Sequence, residues 1–451
     1  MFREFSQDSD APITRFEEML KTNEVFFFDA VEFEAIIQYY IDCGETGRAK
    51  KALKMAIDQH PFQSELLLLK SELLIFDQAY AQALKVLDTI EDLEPNNEEV
   101  LIQKATICSK QKQHKQAIDL LNKAMEIAED PTEILCLLGM EYMVLEQYVK
   151  AKNCFKSCIE EDPHDYQVLY NLLFCLEYLK KHDEAIDILN KILSHHPYNE
   201  IAWLEIGKQY QHLGQKEEAL SAFDFAIISE DTFSGAYIEK GKLLEELGRI
   251  NEAIEHYHHA LQLVDPSAFL HLRIAHCHQT LGNDALALQF FKKGINEDPT
   301  YEKAWTGLID FYIQKENLLK ALYYTQKALK INDNYVAYWK RSALINKAMQ
   351  RFEEAEVAFQ TTIELGNYEL EIWEAWLDTL AFLNEWEKGC TIGQQAKEFY
   401  SNAQNIDVRI AGFFVQMGKT IEAEYYLKNA SADQRRDQSI LALFPRLRSI
   451  M

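Results

Sequence analysis

Two histidine-rich stretches are the first places in this chain where side chains could do chemistry. "HYHH" carries His256, His258 and His259, and "HLRIAHCH" carries His271, His276 and His278. On helices His256 and His259 share a face while His258 points elsewhere. A metal needs several ligands converging on one point, and no acidic or cysteine ligand stands at a fitting offset. Cys154 and Cys158 fall on one helical face, but none of the eight cysteines forms a Cys-x-x-Cys pair. They read as small buried hydrophobes in a reducing compartment rather than as a disulfide framework. The chain has no Gly-x-Ser-x-Gly elbow, no glycine-rich phosphate loop with its lysine, and no His-Glu-x-x-His helix. Glu217–Glu218 and Glu353–Glu354 fall at solvent-facing helix starts, where they complement the helix dipole. No catalytic residue, metal or cofactor is therefore expected.

What must position any site is a long, acidic, well-folded chain. Its 451 residues exceed one ordinary compact core, so several domains or a repeat array are expected. An apolar content of 48% argues against disorder. The 46 basic and 72 acidic residues give a net charge of -26, a field that repels phosphate backbones, so nucleic acid is not an expected partner. The opening "MFREFSQDSDAPITRF" has no apolar leader core, and runs such as Leu66–Leu69 are too short to cross a bilayer. A cytoplasmic protein without membrane insertion is expected.

One small residue returns on a fixed beat. Stepping by 34 from Ala219 meets Ala49, Ala83, Ala117, Ala151 and Ala185 backwards, and Ala253, Ala287, Ala321 and Ala355 forwards; the next steps meet Gly389 and Ala423. Trp203, Trp305, Trp339 and Trp373 lie sixteen residues before this position. Gly44, Gly214, Gly248, Gly282 and Gly418 lie five before it. Pro61, Pro95, Pro163, Pro197 and Pro299 follow twelve after it, with Pro131 and Pro266 one or two residues later. This predicts a helix–turn–helix unit in which the alanine admits close approach of the second helix to the first. Leu138, Tyr142 and Tyr210 extend the bulky stripe on the first helix. A single pair cannot bury its apolar faces, so neighbours must stack.

The period, the first-helix series Trp203, Ile206, Gly207 and Tyr210, the second-helix series Ala219, Phe223 and Ala226, and the closing proline resemble the tetratricopeptide repeat family. Twelve units follow, from 30–63 to 404–437, about nine-tenths of the chain. The last units depart from the pattern, with Gly389 and Gly393 in place of Ala and Phe. The resemblance implies an all-α solenoid: a right-handed superhelix of antiparallel helix pairs with a concave groove that binds protein or peptide. Residues 1–29 are expected to hold a capping helix, with Phe16, Met19 and Leu20 turned towards the first repeat. Residues 438–451, which carry Arg446 and Arg448, read as a second cap or as a docking tail.

In this family the groove is lined by the second, fifth, ninth, twelfth and thirteenth residues of each first helix. The resemblance thus points to Cys136, Met140, Met143, Tyr170, Phe174 and Tyr178 as an apolar platform. Lys208, His212, Lys242 and His276, with Arg273 beside them, would form a basic strip. Together these suit a peptide with hydrophobic anchors and a carboxylate. The two-carboxylate clamp of chaperone-tail binders is not matched, since Lys340 is followed by Leu344 where asparagine is required. The expected function is a non-enzymatic interaction scaffold or adaptor. A regulatory receptor for a signalling peptide and a helical-repeat protein of RNA processing are the alternatives, and self-association through array ends stays open.

Overall fold

The computed structural model describes residues 10–22, 26–265, 267–428 and 430–450. The readings of Pro266 and of the first nine residues fall outside the described residues. Among these there is no strand, and the chain forms two compact units, Met1–Pro197 and Tyr198–Met451.

In unit one, α1 (Asp10–Thr22) is followed by the pairs α2 (Ala30–Asp42) and α3 (Thr46–Gln59), α4 (Ser64–Phe76) and α5 (Tyr80–Leu93), α6 (Glu98–Lys110) and α7 (His114–Met125). Then come α8 (Thr132–Val144) and α9 (Tyr148–Glu161), α10 (Tyr166–Tyr178) and α11 (His182–His195). Unit two starts with α12 (Glu200–His212) and α13 (Lys216–Ser229), α14 (Ser234–Glu246) and α15 (Ile250–Leu263), α16 (Ala268–Thr280) and α17 (Asp284–Glu297). It continues with α18 (Glu302–Gln314) and α19 (Leu318–Leu329), α20 (Val336–Ala348) and α21 (Phe352–Glu364), α22 (Leu370–Phe382) and α23 (Trp386–Phe399), α24 (Gln404–Gln416) and α25 (Thr420–Lys428). Two short helices, α26 (Ala432–Arg435) and α27 (Gln438–Leu443), and a 3-10 turn at Pro445–Ser449 end it. Each helix packs on its own partner, and first helices also touch the next first helix, as α2 does α4 and α18 does α20. First helices therefore share one face within each unit.

The recurring small position explains this packing. Every alanine of the series, from Ala49 to Ala355, and Ala423 as well, is fully shielded from water. In the pairs α8/α9, α12/α13 and α14/α15 the first helix carries a glycine where an aromatic ring of the second helix arrives. A Cβ built on Gly139 would sit 2.5 Å from Phe155, and one on Gly241 2.6 Å from Tyr257. The departures at Gly389 and Gly393 have the same origin: Phe413 and Ile410 of α24 fill the room that Cβ atoms would need.

The turn is as regular as the packing. Residues 44, 214, 248, 282 and 418 are glycines with φ between 73° and 78°. At the same register Gln78, Lys112, Glu146, Lys180, Glu316, Gln350 and Asn384 adopt the same left-handed conformation without being glycine. The six-residue bond from Glu45 N to Tyr40 O, repeated from Gln113 N to Cys108 O and Gln215 N to Tyr210 O, enforces it. Two of the tryptophans tie first helices to the preceding loop, Trp305 Nε1 donating to Pro299 O at 2.9 Å and Trp339 Nε1 to Asp333 O at 2.6 Å. At the ends, Phe16 and Met19 of α1 are buried against α2, while Phe444 and Leu447 are buried against α24 and Ile440 lies on α27, which packs on α22. Arg446 and Arg448 stay on the exposed side of that tail.

The histidines belong to this packing. His258, His271 and His278 surround the Phe290 ring with centroids 5.6, 5.9 and 5.6 Å away, and His256 and His259 lie against Tyr237. Among the described residues no three His, Cys, Asp or Glu side chains converge on a metal position. Burial disfavours the imidazolium, lowering His258, His271, His276 and His278, and takes His256 down to about 4. Lys240 and Lys293 push the same way, while Asp224, Glu252 and Glu297 oppose them.

Two outcomes follow from this packing. Gly139→Ala should loosen the α8/α9 pair by about 1–3 kcal/mol through overpacking, and Lys112→Gly should tighten α6/α7 by up to about 1 kcal/mol by relieving the left-handed backbone. Hydrogen exchange of the two pairs checks both, and unchanged protection would refute the clearance account. For pH, an unfolded chain takes up protons below 6.5 that the folded chain refuses until about 4 at His256. Stability of unit two is full above that upper value and declines as pH falls through the window. Thermal unfolding at about pH 7.5 and 5.5 should show a drop that His256→Leu reduces.

Candidate protein-binding surface

In unit one the platform residues come from α8 and α10. Val168, Leu169, Leu172, Leu173 and Leu176 bury one side of α10, which leaves positions spaced by four on the other. There Tyr170, Phe174 and Tyr178 stand 43%, 50% and 60% exposed, a row of aromatic rings that solvent reaches. Tyr148, at the start of α9, completes it: its ring lies 3.9 Å from Tyr178 and 6.1 Å from Phe174. On α8 Met140 is 41% exposed and Met143 half-buried. Cys136 turns instead into the α8/α9 contact, its Sγ 3.0 Å from the buried Cys158 Sγ. The hydrogen bond it shares with Cys158 lowers the Cys136 pKa. The structure thus lines up Tyr170, Phe174 and Tyr178 on α10 with Tyr148 against them, leaves Met140 exposed on α8, and draws Cys136 into packing.

Tyr148 escaped the sequence reading because it lies on a second helix, outside the first-helix positions that were considered. The signal was its place directly after the turn, where the next repeat's first helix must pass.

The basic strip of unit two is differently placed. Lys208 Nζ bonds Glu205 Oε1 at 2.7 Å, and Lys242 Nζ bonds Glu239 Oε1 at 2.8 Å. Each partner lies one turn earlier on the same helix, so the i, i+3 spacing already announced it. Arg273 reaches Glu245, Nη2 at 2.8 Å and Nε at 3.0 Å, and Tyr257 OH donates to the same carboxylate, joining α14, α15 and α16. Its guanidinium and the charge of Glu245 serve the packing of that unit. His276 sits edge-on to Phe291 at 5.2 Å and is held below the usual histidine value by burial, so it contributes no charge at neutral pH. His212 lies in the last turn of α12. The strip is therefore a line of locally balanced pairs rather than a bare positive surface.

A hollow of about 700 Å³ lies between α18 and α20, mostly apolar, with Ile313 and Leu344 in its wall. Its polar edge is closed by Arg341, whose Nε bonds Asp310 Oδ1 at 2.7 Å, and by Lys340 paired with Glu369. Lys340, the residue at the clamp's opening position, is thus already engaged. Among the described residues no helix is long and apolar enough to cross a membrane.

Comparison with known proteins places these helices in a family. Tetratricopeptide repeat models match residues 74–138, 132–165, 167–197, 234–263 and 270–301. No curated protein matches the chain. Among solved structures, a tetratricopeptide repeat protein from Parabacteroides merdae is 21% identical, covering 54% of this chain and 97% of its own, with a TM-score of 0.40. YrrB, described as a TPR protein with an unusual peptide-binding site, is 14% identical over 41% of this chain and 94% of its own, with a TM-score of 0.33. The Cut9–Hcn1 hetero-tetramer of the APC/C is 14% identical over 98% of this chain and 94% of that chain, with a TM-score of 0.35. The 34-residue beat, the shielded alanines and the family models agree that this chain carries tetratricopeptide repeats.

Proposed function

We propose that this chain is a non-enzymatic protein-interaction scaffold, and that unit one holds a peptide or protein segment on the row Tyr170, Phe174 and Tyr178, with the exposed Met140 of α8 as a further contact. The observation that supports this reading is the row itself. Aromatic side chains are large and apolar, and leaving three of them half in water on one helix forgoes burial that a partner can supply. Their backs are fixed by a leucine-rich core, so little ordering cost is paid on binding. Met140 adds an adaptable sulfur-bearing edge.

The cations of unit two have a smaller part in this reading. Lys208 and Lys242 would take a partner's carboxylate only in exchange for Glu205 and Glu239, and exposed exchanges of this kind contribute little.

Capture from native lysate with the full chain and with Tyr170→Ala/Phe174→Ala/Tyr178→Ala tests it. Truncating clustered anchors removes about 2 kcal/mol or more each at a hot spot, so specific partners should fall at least tenfold while helical content is kept. Lys208→Glu/Lys242→Glu should change capture by no more than a few-fold. Equal recovery of the same partners by the aromatic variant would overturn the proposal.

A further inference from the structure

A second surface of unit one has a chemistry opposite to the aromatic row. The first helices α2, α4 and α6 enclose a hollow of about 550 Å³ whose walls carry Glu34, Glu65, Glu72 and Glu99 over an apolar floor of Leu68 and Leu69. An adjoining hollow of about 730 Å³ shares Glu65 and Glu99 and adds Glu94, Glu98 and Glu129. No lysine, arginine or histidine lines either one. Elsewhere ion pairs such as Lys152–Glu184 and Arg341–Asp310 couple neighbouring repeats, whereas here four carboxylates face one space without a cation.

The second observation comes from a neutral residue. Gln103 is 8% exposed and lines the same hollow, yet its Oε1 has no hydrogen-bond partner. Its amide is committed, Nε2 donating to Glu99 Oε1 at 3.0 Å. That orientation leaves the carboxamide oxygen an unmet acceptor beside carboxylates that face the hollow with no cation in its lining. A buried acceptor left unmet costs free energy that a donor from outside would recover. The donors in the lining, the amides of Gln38 and Gln103, are neutral and already engaged; what is missing is a donor carrying positive charge.

We infer that the α2/α4/α6 hollow binds arginine or lysine side chains of an extended protein segment. This rests on the scaffold reading above and adds a second anchor of different chemistry. A bare metal ion fits poorly, because among the described residues no three of these oxygens converge. A chain suits better. Glu65 and Glu99 are equivalent residues of neighbouring first helices, about 8–10 Å apart at ordinary helix spacing, which about three extended residues span. The leucine floor would pack the aliphatic stem while the charged head meets the walls. Burial raises Glu34, Glu72 and Glu99, and the neighbouring acids add to it at Glu34 and Glu99. A bound cation would relieve that repulsion.

These acids stand at the second, fifth and ninth residues of their helices, the family's groove positions, so the sequence held the signal in its first three repeats. The test is fluorescence anisotropy of the full chain with a fluorescein-labelled hexapeptide of alternating alanine and arginine, against its citrulline counterpart, at physiological salt. The arginine peptide should bind at least tenfold tighter than the citrulline one. Glu34→Gln/Glu72→Gln/Glu99→Gln should weaken it at least tenfold, while Glu217→Gln/Glu218→Gln/Glu353→Gln, the same charge change on exposed helix starts, should weaken it less than twofold. Gln103→Leu, checked for retained helicity, should weaken it several-fold at unchanged charge, and no change would overturn the role of its oxygen. Equal weakening by the two triple variants, or equal binding of citrulline, would overturn the site and reduce the effect to the general attraction of an acidic chain. Failure here with partner capture still dependent on Tyr170, Phe174 and Tyr178 would leave the scaffold proposal standing.

Discussion

Each helix pair in this chain depends on one clearance: a side chain reduced to a methyl group, or to nothing, where two helices cross. The twelve positions from residue 49 to residue 423 carry alanine at all but one, and the alanines are shielded from water throughout. In three of the pairs close approach there lets the aromatic ring four residues later, Phe155, Phe223 or Tyr257, reach across to a glycine of the first helix. A larger residue at either place would separate the helices and forfeit the dispersion contacts of the whole pair. Because units of this kind are stabilised mainly by near neighbours, such a fault stays local rather than dissolving the chain. The same rigidity presents first-helix side chains at fixed spacing, and binding surfaces grow from that regularity.

Much of this was legible before any coordinates, for a physical reason. Clearance, turn and helix stop each restrict residue type, so they leave a periodic trace: alanine, glycine and proline on a 34-residue beat. The trace fades where another solution exists. Seven of the twelve turns take a left-handed residue other than glycine, held by the bond that closes the helix end. Their periodicity is in conformation rather than composition. Gly389 and Gly393 looked like decay of the pattern, whereas Phe413 and Ile410 of the next helix have moved into the vacated room. The division at Pro197 and Tyr198 left no mark in composition, since the alanine beat runs through it from Ala185 to Ala219.

Site residues were legible more unevenly, because type and register fix direction but not company. Tyr170, Phe174 and Tyr178 were found by register and stand exposed. Cys136 has the same kind of register, yet a thiol is small enough to be drawn towards Cys158 and out of the surface. The cations were read as a strip by sign alone; Glu205, Glu239 and Glu245 turn them into pairs. Histidines at the tryptophan and tyrosine positions of α16 behave as aromatic fillers around Phe290, with burial keeping them neutral.

Charge therefore separates the two kinds of surface better than residue type does. A net charge of -26 leaves far more carboxylates than cations, so many acids must go without a partner. Where those acids fall on exposed helix starts, water and the helix dipole accommodate them at little cost. In the α2/α4/α6 hollow the same surplus is gathered inside a concave wall with an apolar floor, where solvation is poorer and repulsion larger. A half-exposed aromatic row and an acidic hollow that no lysine, arginine or histidine lines are complementary surfaces on one unit. A segment carrying apolar residues and a basic side chain would satisfy both, whereas a purely acidic or purely apolar one would leave one of them unmet.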